Sequence, residues 1–370
     1  MSGKPVVAMC SVGELFGGVE RHLLGMCEWF RRQGTEPILI LFHDNELASQ
    51  ARAMGFEPLV LDSSSSFDLT VPKKLAALLR ERKVDLLHAH GYRAMVNAAL
   101  ARRHYQFEVV RTVHGLIEPS SRFSLPWIKS RLYSWMEKTA SIRMGATVCY
   151  VTDDLRKRRS EGDGGRVSLT VHNGIDPVSK SDFKRPEDLP EGVFHFAAVG
   201  RVSPVKGLET ALRAMKELDP EVGAVLDIIG SGPSMDLLKE LAEELQLGQR
   251  VCFLGFKENI YDYLAHVDVL IMPSLHEGLP YTILETMSLG TPIIASRVGG
   301  LAEILEDGRT ALLVEAGDVG GWAEAMLDLA GNRQRALELG AAGKVEQARA
   351  LTLETMGADY WGVYLQKVGQ

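Results

Sequence analysis

The stretch Phe194-His195-Phe196-Ala197-Ala198-Val199-Gly200-Arg201-Val202-Ser203-Pro204-Val205-Lys206-Gly207 decides how this chain folds. The apolar run Phe194 to Val199 reads as a strand, and Gly200 turns the chain. Two spaced cations, Arg201 and Lys206, occupy the turn before a helical pattern resumes. The same alternation runs on both sides of it. Before it, the candidate strands are Val6–Cys10, Pro37–Phe42, Pro58–Leu61, Leu86–His88, Glu108–Thr112, Thr147–Val151 and Ser168–Val171. After it come Ala224–Ile229, Arg250–Leu254, Val267–Met272, Pro292–Ala295 and Ala311–Val314. Helical patterns such as Val19–Arg32, Pro72–Arg82 and Ala94–Arg103 fill the gaps between strands. Strand–helix alternation predicts parallel βαβ units, hence an α/β protein.

At 370 residues the chain is long enough for two domains of roughly 150–200 residues. The alternation breaks between Asp176 and Gly192, where charge is dense and Pro177, Pro186 and Pro190 interrupt any helix. We therefore expect a first Rossmann-like domain over 1–176, a linker over 177–192, a second Rossmann-like domain over 193–350 and a helical tail over 351–370. Two doubly wound domains facing one another across a cleft are the expected architecture. In such sheets ligands sit beyond the carboxyl ends of the strands. Tail residues Met356, Tyr360, Trp361, Tyr364 and Leu365 recur at helical spacing, which suits a packing helix.

Composition excludes several classes. The four cysteines, Cys10, Cys27, Cys149 and Cys252, form no CxxC pair, which argues against zinc and a disulfide framework. No basic segment followed by a long apolar core opens the chain, so no signal peptide is expected. No apolar run of about 18 residues predicts a membrane span. A cytoplasmic protein fits these features, with peripheral attachment at the inner membrane face left open. Charge is uneven: residues 1–176 carry 24 Lys and Arg against 19 Asp and Glu, and the remainder carries 17 against 29. A nucleic-acid partner is disfavoured by the net charge of −7 and the lack of a binding motif.

A second stretch carries the candidate chemistry. His276-Glu277-Gly278-Leu279-Pro280-Tyr281-Thr282-Ile283-Leu284-Glu285 sets two carboxylates eight positions apart, one on a Gly-Pro turn and one inside the helix that follows. The N–H groups of Gly278, Leu279 and Tyr281 surround the helix start, where anions are attracted; Pro280 has no N–H. Glu285 can accept two hydroxyl hydrogen bonds. Arg201 and Lys206 can converge on a diphosphate, one as a fork and one as a point charge. Taken alone, the carboxylates also read as surface charges and the cations as solvated loop residues.

Together these elements resemble the retaining, two-domain glycosyltransferases of family 4, with the GT-B fold. Further landmarks run in that family's order: Gly17-Gly18-Val19-Glu20, His114 in Thr-Val-His-Gly, His172-Asn173-Gly174-Ile175-Asp176, Gly230-Ser231-Gly232-Pro233 and Gly299-Gly300-Leu301-Ala302-Glu303. The resemblance implies a tail helix that crosses back to the first domain. It implies transfer from a nucleotide sugar, UDP-linked by preference with GDP-mannose as the other possibility, to a glycan or lipid-linked acceptor. Donor-binding residues are then Gly17, Gly18, Arg201, Lys206, Gly230, Phe256, Lys257, Glu277, Gly278, Leu279 and Glu285, with the base near Phe256 and Lys257. Catalytic residues are His114, Arg201, Lys206 and Glu277. No Asp-x-Asp motif occurs, so no metal and no other cofactor is expected.

Several features stay open at this level. Gly17-Gly18 also reads as a simple turn. His88 and His90 suit either metal ligation or, with no third ligand apparent, hydrogen bonding at a strand end. Residues 122–143 hold five cations, one acid and interleaved Phe123, Leu125, Trp127, Ile128, Leu132, Trp135 and Met136. That composition suits an anionic membrane surface or packing on the first sheet. A sugar-nucleotide epimerase of similar architecture and a lapsed transferase kept as a sensor or scaffold are the competing functions. An oxidoreductase is disfavoured because Gly230-Ser231-Gly232 lacks the third glycine of the dinucleotide fingerprint.

Overall fold

A computed structural model describes residues 4–13, 17–63, 68–115, 125–160 and 167–369. The chain forms two compact units, Met1–Gly174 with Leu353–Gln370, and Ile175–Thr352.

The first unit holds β1 (Val7–Ser11), β2 (Ile38–Leu41), β3 (Leu59–Val60), β4 (Leu86–His90), β5 (Glu108–Val113), β6 (Thr147–Tyr150) and β7 (Ser168–Thr170). They form one sheet in the order β3-β2-β1-β4-β5-β6-β7, every pair parallel. Helices cover both faces, so the strands are apolar throughout rather than alternating. The pleat still sorts them: Val7, Met9, Leu39 and Leu41 enter one core, while Ala8, Cys10 and Ile40 enter the other.

Helices Gly18–Arg32, Glu46–Ala53 and Leu353–Val368 pack into the first of those cores. The tail therefore does pack on the first unit. Trp29 donates from Nε1 to Glu354 Oε2 at 3.0 Å, and Phe30 stacks on Tyr364. Gly357 lies flat against the Trp29 indole: a Cβ there would stand 2.3 Å from Trp29 Cγ. Gly357→Ala is therefore expected to destabilise the protein by about 1–3 kcal/mol despite alanine's better helix propensity. Urea denaturation measures this; an unchanged midpoint would show that the contact tolerates a methyl group.

The second unit holds β8 (Phe194–Val199), β9 (Ala224–Ile229), β10 (Val251–Gly255), β11 (Val269–Met272), β12 (Ile293–Ser296) and β13 (Leu312–Val314). Their order is β10-β9-β8-β11-β12-β13, again all parallel. In each sheet the chain reverses direction across the sheet once, between β1 and β4 and between β8 and β11. Ligands of doubly wound sheets bind at the strand carboxyl ends beside such a switch point.

The boundaries differ from the sequence reading. Segment 177–192 is not a free linker but part of the second unit. Val178 donates from its N–H to Ser288 Oγ, Lys184 N–H donates to Asp262, and Leu189 is fully buried. The prolines do stop regular structure there, but polar side chains and one apolar anchor bind the segment down. Pro190 O accepts from His195 Nε2, whose Nδ1 lies 2.7 Å from Asp227 Oδ2. His195 and Asp227 are both buried.

Candidate functional site

In the second unit, three loops interlock at the strand carboxyl ends. Gly230, with φ +144°, would place a Cβ 1.8 Å from Gly200 O, and a Cβ on Gly207 would stand 2.1 Å from Pro273 O. These glycines let backbone pass against backbone. The role of Gly230 here is thus loop packing: its N–H donates to Gly255 O at 2.7 Å. Val202 N–H donates to Ser231 O, and Leu275 N–H donates to Val205 O, so the loops after β8, β9 and β11 form one rigid rim.

On that rim, Lys206 Nζ donates to Glu277 Oε1 at 2.6 Å, and Ser274 Oγ donates to the same oxygen at 2.7 Å. Glu277 is buried and the lysine is partly exposed. The two residues that the sequence left 71 positions apart are therefore brought into contact. Arg201 stands exposed earlier in the same loop. A shallow cavity there is lined by Gly200, Arg201, Lys206, Pro273 and Ser274.

The helix after Glu277 runs Tyr281–Leu289, with Pro280 as its N-cap residue at φ −68° and ψ 134°, one place earlier than the first helical position. No side chain caps it, and the start of a helix attracts anions. Glu285 is buried one turn into this helix. Leu279 is buried as well, and Gly278 lies half-buried before the helix start. Gly300 N–H donates to Glu277 O, so the loop after β12 also braces the turn.

Phe256 and Lys257 follow β10. Phe256 is 72% exposed, an open aromatic face at a strand end. Lys257 is turned elsewhere: its Nζ donates to Asp188 Oδ2 at 2.6 Å and lies over the Tyr263 ring. That is a correction to its expected place in base binding. The cation anchors segment 177–192, because Asp188 offers a carboxylate within reach.

In the first unit, Gly17 and Gly18 begin the helix Gly18–Arg32. Gly17 N–H donates to Glu20 Oε2 at 2.9 Å, so this N–H is satisfied within its own turn, while Gly18 is exposed. Burial pushes the Glu20 carboxyl up, and its backbone hydrogen bonds oppose that rise.

His114 follows β5, and its ring lies among three other histidines. His90 Nδ1 and His114 Nε2 are 2.9 Å apart. His22 reaches the pair from the helix Gly18–Arg32, its ring centroid 4.9 Å from His114 and 5.3 Å from His90. His88 bonds Thr112 Oγ1 and Tyr364 OH, both at 2.7 Å. Burial holds all four well down, His22 to about 4, and their mutual repulsion adds to this for His88, His90 and His114. They are neutral at pH 7. Among the described residues no group of three His, Cys, Asp or Glu could hold a metal ion.

The helix Leu125–Met144 covers most of the basic segment; Arg122, Phe123 and Ser124 lie outside the described residues. One side packs inward: Tyr133 stacks on Tyr92 at 4.2 Å, and Ala140 and Met144 join the core. The other side exposes Ile128, Leu132 and Trp135, flanked by exposed Lys129, Arg131 and Lys138. No helix among the described residues is long and apolar enough to cross a membrane.

Sequence reading missed Ser274, Glu20, Asp188 and the His22–His90–His114 contacts. Ser274 lies three residues before Glu277 and could have been weighed as a local partner. Glu20 likewise lies three residues from Gly17, whose N–H it accepts, whereas Asp188 and the histidines meet their partners through tertiary packing.

Comparison with known proteins agrees with this layout. The family described as Glycosyl transferases group 1 matches residues 179–346, and Glycosyltransferase Family 4 matches 16–178. The UDP-Gal:alpha-D-GlcNAc-diphosphoundecaprenol alpha-1,3-galactosyltransferase of Escherichia coli is 27% identical over 87% of this chain and 87% of its own length. The lipopolysaccharide core biosynthesis glycosyltransferase LpsE of Rhizobium meliloti is 28% identical over 84% of each. The solved structure of Anabaena HepE in complex with UDP superposes with a TM-score of 0.83 at 20% identity, covering 98% of this chain and all of that one.

Proposed function

The chain belongs to glycosyltransferase family 4, and from that premise we propose that it moves a hexose, with retention, from a UDP-sugar to a glycan or lipid-linked acceptor in surface-polysaccharide or glycoconjugate assembly. The observation that carries this reading is the Lys206–Glu277–Ser274 cluster beside a helix N-terminus at the β8/β11 switch point. Lysine carries three N–H donors, and Glu277 takes one, which orients the ammonium and leaves two for diphosphate oxygens. Arg201 and the N–H groups of Gly278, Leu279 and Tyr281 complete the anion cradle. Glu285 takes the ribose hydroxyls, Glu277 a donor-sugar hydroxyl, and Phe256 offers its face to the base.

The leaving diphosphate is stabilised by fixed charges and dipoles, which lower the barrier of such a transfer more than any other single effect, so no metal is required. The bond from the anomeric carbon to phosphate breaks while the acceptor oxygen attacks the same face, and the acceptor proton passes to a leaving phosphate oxygen. His114 stands on the acceptor side, near the reacting sugar. The UDP preference draws on the bound UDP of the HepE structure and the donor in the Escherichia coli relative's name.

Thermal stabilisation by UDP, GDP, ADP and dTDP and their common sugars, with and without EDTA, tests this. Stabilisation by the uridine series, insensitive to EDTA, is expected. Glu285→Ala should weaken UDP binding by about 1.5–3 kcal/mol, the scale of a charge-assisted hydrogen bond. Unchanged affinity would reject the ribose role, and no shift with any nucleotide would reject the whole cradle.

The exposed Ile128, Leu132 and Trp135 with their flanking cations support peripheral docking on the anionic inner face of a membrane, where a lipid-linked acceptor would lie. Trp135→Asp should lower partition onto anionic vesicles by on the order of tenfold or more, the scale of one large buried apolar side chain. Equal sedimentation of both proteins with those vesicles would sink the membrane reading.

A further inference from the structure

The histidines of the first unit obey a strict proton count. His22 Nδ1 faces Asn173 Oδ1 at 3.2 Å. A carbonyl oxygen only accepts, so His22 Nδ1 carries the proton and its Nε2 presents a bare lone pair. His88 is satisfied at both nitrogens, by Tyr364 and Thr112. One proton lies between His90 Nδ1 and His114 Nε2. The other proton of that neutral pair then sits on an outer nitrogen, either His114 Nδ1 or His90 Nε2. These two atoms, with His22 Nε2, are buried and have no hydrogen-bond partner among the described residues. A pair that shares one proton and keeps another outside offers too few lone pairs for three-imidazole metal ligation.

The fold imposes this arrangement. β4 ends at His90, and Gly91 takes φ +81° so that a helix starts at once. The His90 side chain does not cap that helix, which frees it to reach sideways. His90 pairs in register with Thr112, two residues before His114, which puts both imidazoles at one end of neighbouring strands. The edge of His22 meets the His114 ring at 80° and closes a third side.

We propose that His90 is a positioning residue for His114. By occupying His114 Nε2, it fixes the ring plane and leaves Nδ1 as the one nitrogen that His114 can present to substrate. This rests on the reading in which His114 stands at the reacting sugar. The shared proton does not move alone, because its transfer from His90 to His114 Nε2 would set an imidazolium beside an imidazolate in a buried site.

The test compares His90→Leu and His90→Asn in the full-length protein. An asparagine amide reaches the place of the imidazole Nδ1, so it can keep the hydrogen bond that leucine removes. Long-range ¹H–¹⁵N spectra of histidine-labelled protein read the tautomer of His114, and steady-state kinetics with the stabilising nucleotide sugar read turnover. We expect the leucine variant to change the His114 ring-nitrogen pattern. It should also lower kcat on the order of 10-fold to 100-fold, as loss of a group that orients a functional imidazole does, with donor KM within about twofold. The asparagine variant should restore most of both. An unaltered His114 pattern in the leucine variant would overturn the proposal, and so would an altered pattern with wild-type kcat, or failure of asparagine to rescue at unchanged melting temperature. Absence of turnover in the wild type would strike at the transferase reading instead, and the nitrogen pattern would still decide whether His90 governs His114.

Discussion

Lys206→Ala lowers turnover by on the order of 10²–10³-fold, equivalent to about 2.7–4 kcal/mol, the scale for losing one preorganised donor to a developing anion. The loss exceeds that of an ordinary exposed lysine because two effects act together. The ammonium no longer meets the leaving diphosphate, and Glu277 loses its cation. Glu277 is then a buried carboxylate that keeps the Ser274 hydroxyl but has no neutralising charge on that oxygen, and its own charge opposes the incoming phosphate. Lys206→Arg retains charge but not the compact geometry, so it should recover only part of the rate. Leaving the buried Glu277 carboxylate without its cation also lowers the melting temperature, so turnover is compared at a temperature where both proteins are folded. Near-normal turnover in Lys206→Ala would remove this residue from the phosphate site.

His195→Leu should cost about 3–5 kcal/mol at neutral pH, because it strands the buried Asp227 carboxylate. It also removes the donor to Pro190 O and so loosens segment 177–192. A fall in melting temperature on the order of 10 °C follows for a unit of this size. The pH dependence has a definite sign. Burial pulls His195 down, but the hydrogen bonds to Asp227 and Pro190 and the Asp227 charge prevail and raise it above 6.5. A histidine raised on folding contributes stability that is complete below its unfolded value and is lost as pH rises through the folded one. The second unit should therefore soften on alkalisation above 6.5, and His195→Leu should flatten that slope.

The first unit should behave in the opposite way. His22, His88, His90 and His114 are lowered by burial, so the unfolded chain binds more protons and stability falls as pH drops from 6.5 toward about 4. Melting curves between pH 4 and 9 measure both limbs. A His195→Leu protein with wild-type stability and an unchanged alkaline slope would refute the ion pair as the source of that slope.

The strands of both sheets were legible from the chain because parallel strands covered on both faces must be apolar runs, and runs such as Phe194–Val199 and Ala224–Ile229 begin and end as read. The turns after them were legible because glycine permits backbone contact that no Cβ allows, as at Gly207 and Gly230. Residue types after strand ends therefore nominated Arg201, Lys206 and Glu277 by charge and His114 by position for the proposed roles, and Glu285 by its place in the helix Tyr281–Leu289. What sequence could not decide was pairing. Lys206 goes to Glu277 and Lys257 to Asp188, 71 and 69 residues away. Both are lysines in loops after strands, and only the folded sheet order determines which carboxylate each one meets. Segment 177–192 looked like a linker because proline governs local backbone, yet Leu189 and Asp188 bind it through distant partners. His90 could be seen only as one of two histidines near a strand end; its hold on His114 exists because β4 and β5 are neighbours in register. Local chemistry is written in residue types and short spacings, whereas hydrogen-bond partners across tens of residues are set by which strands the sheet places side by side.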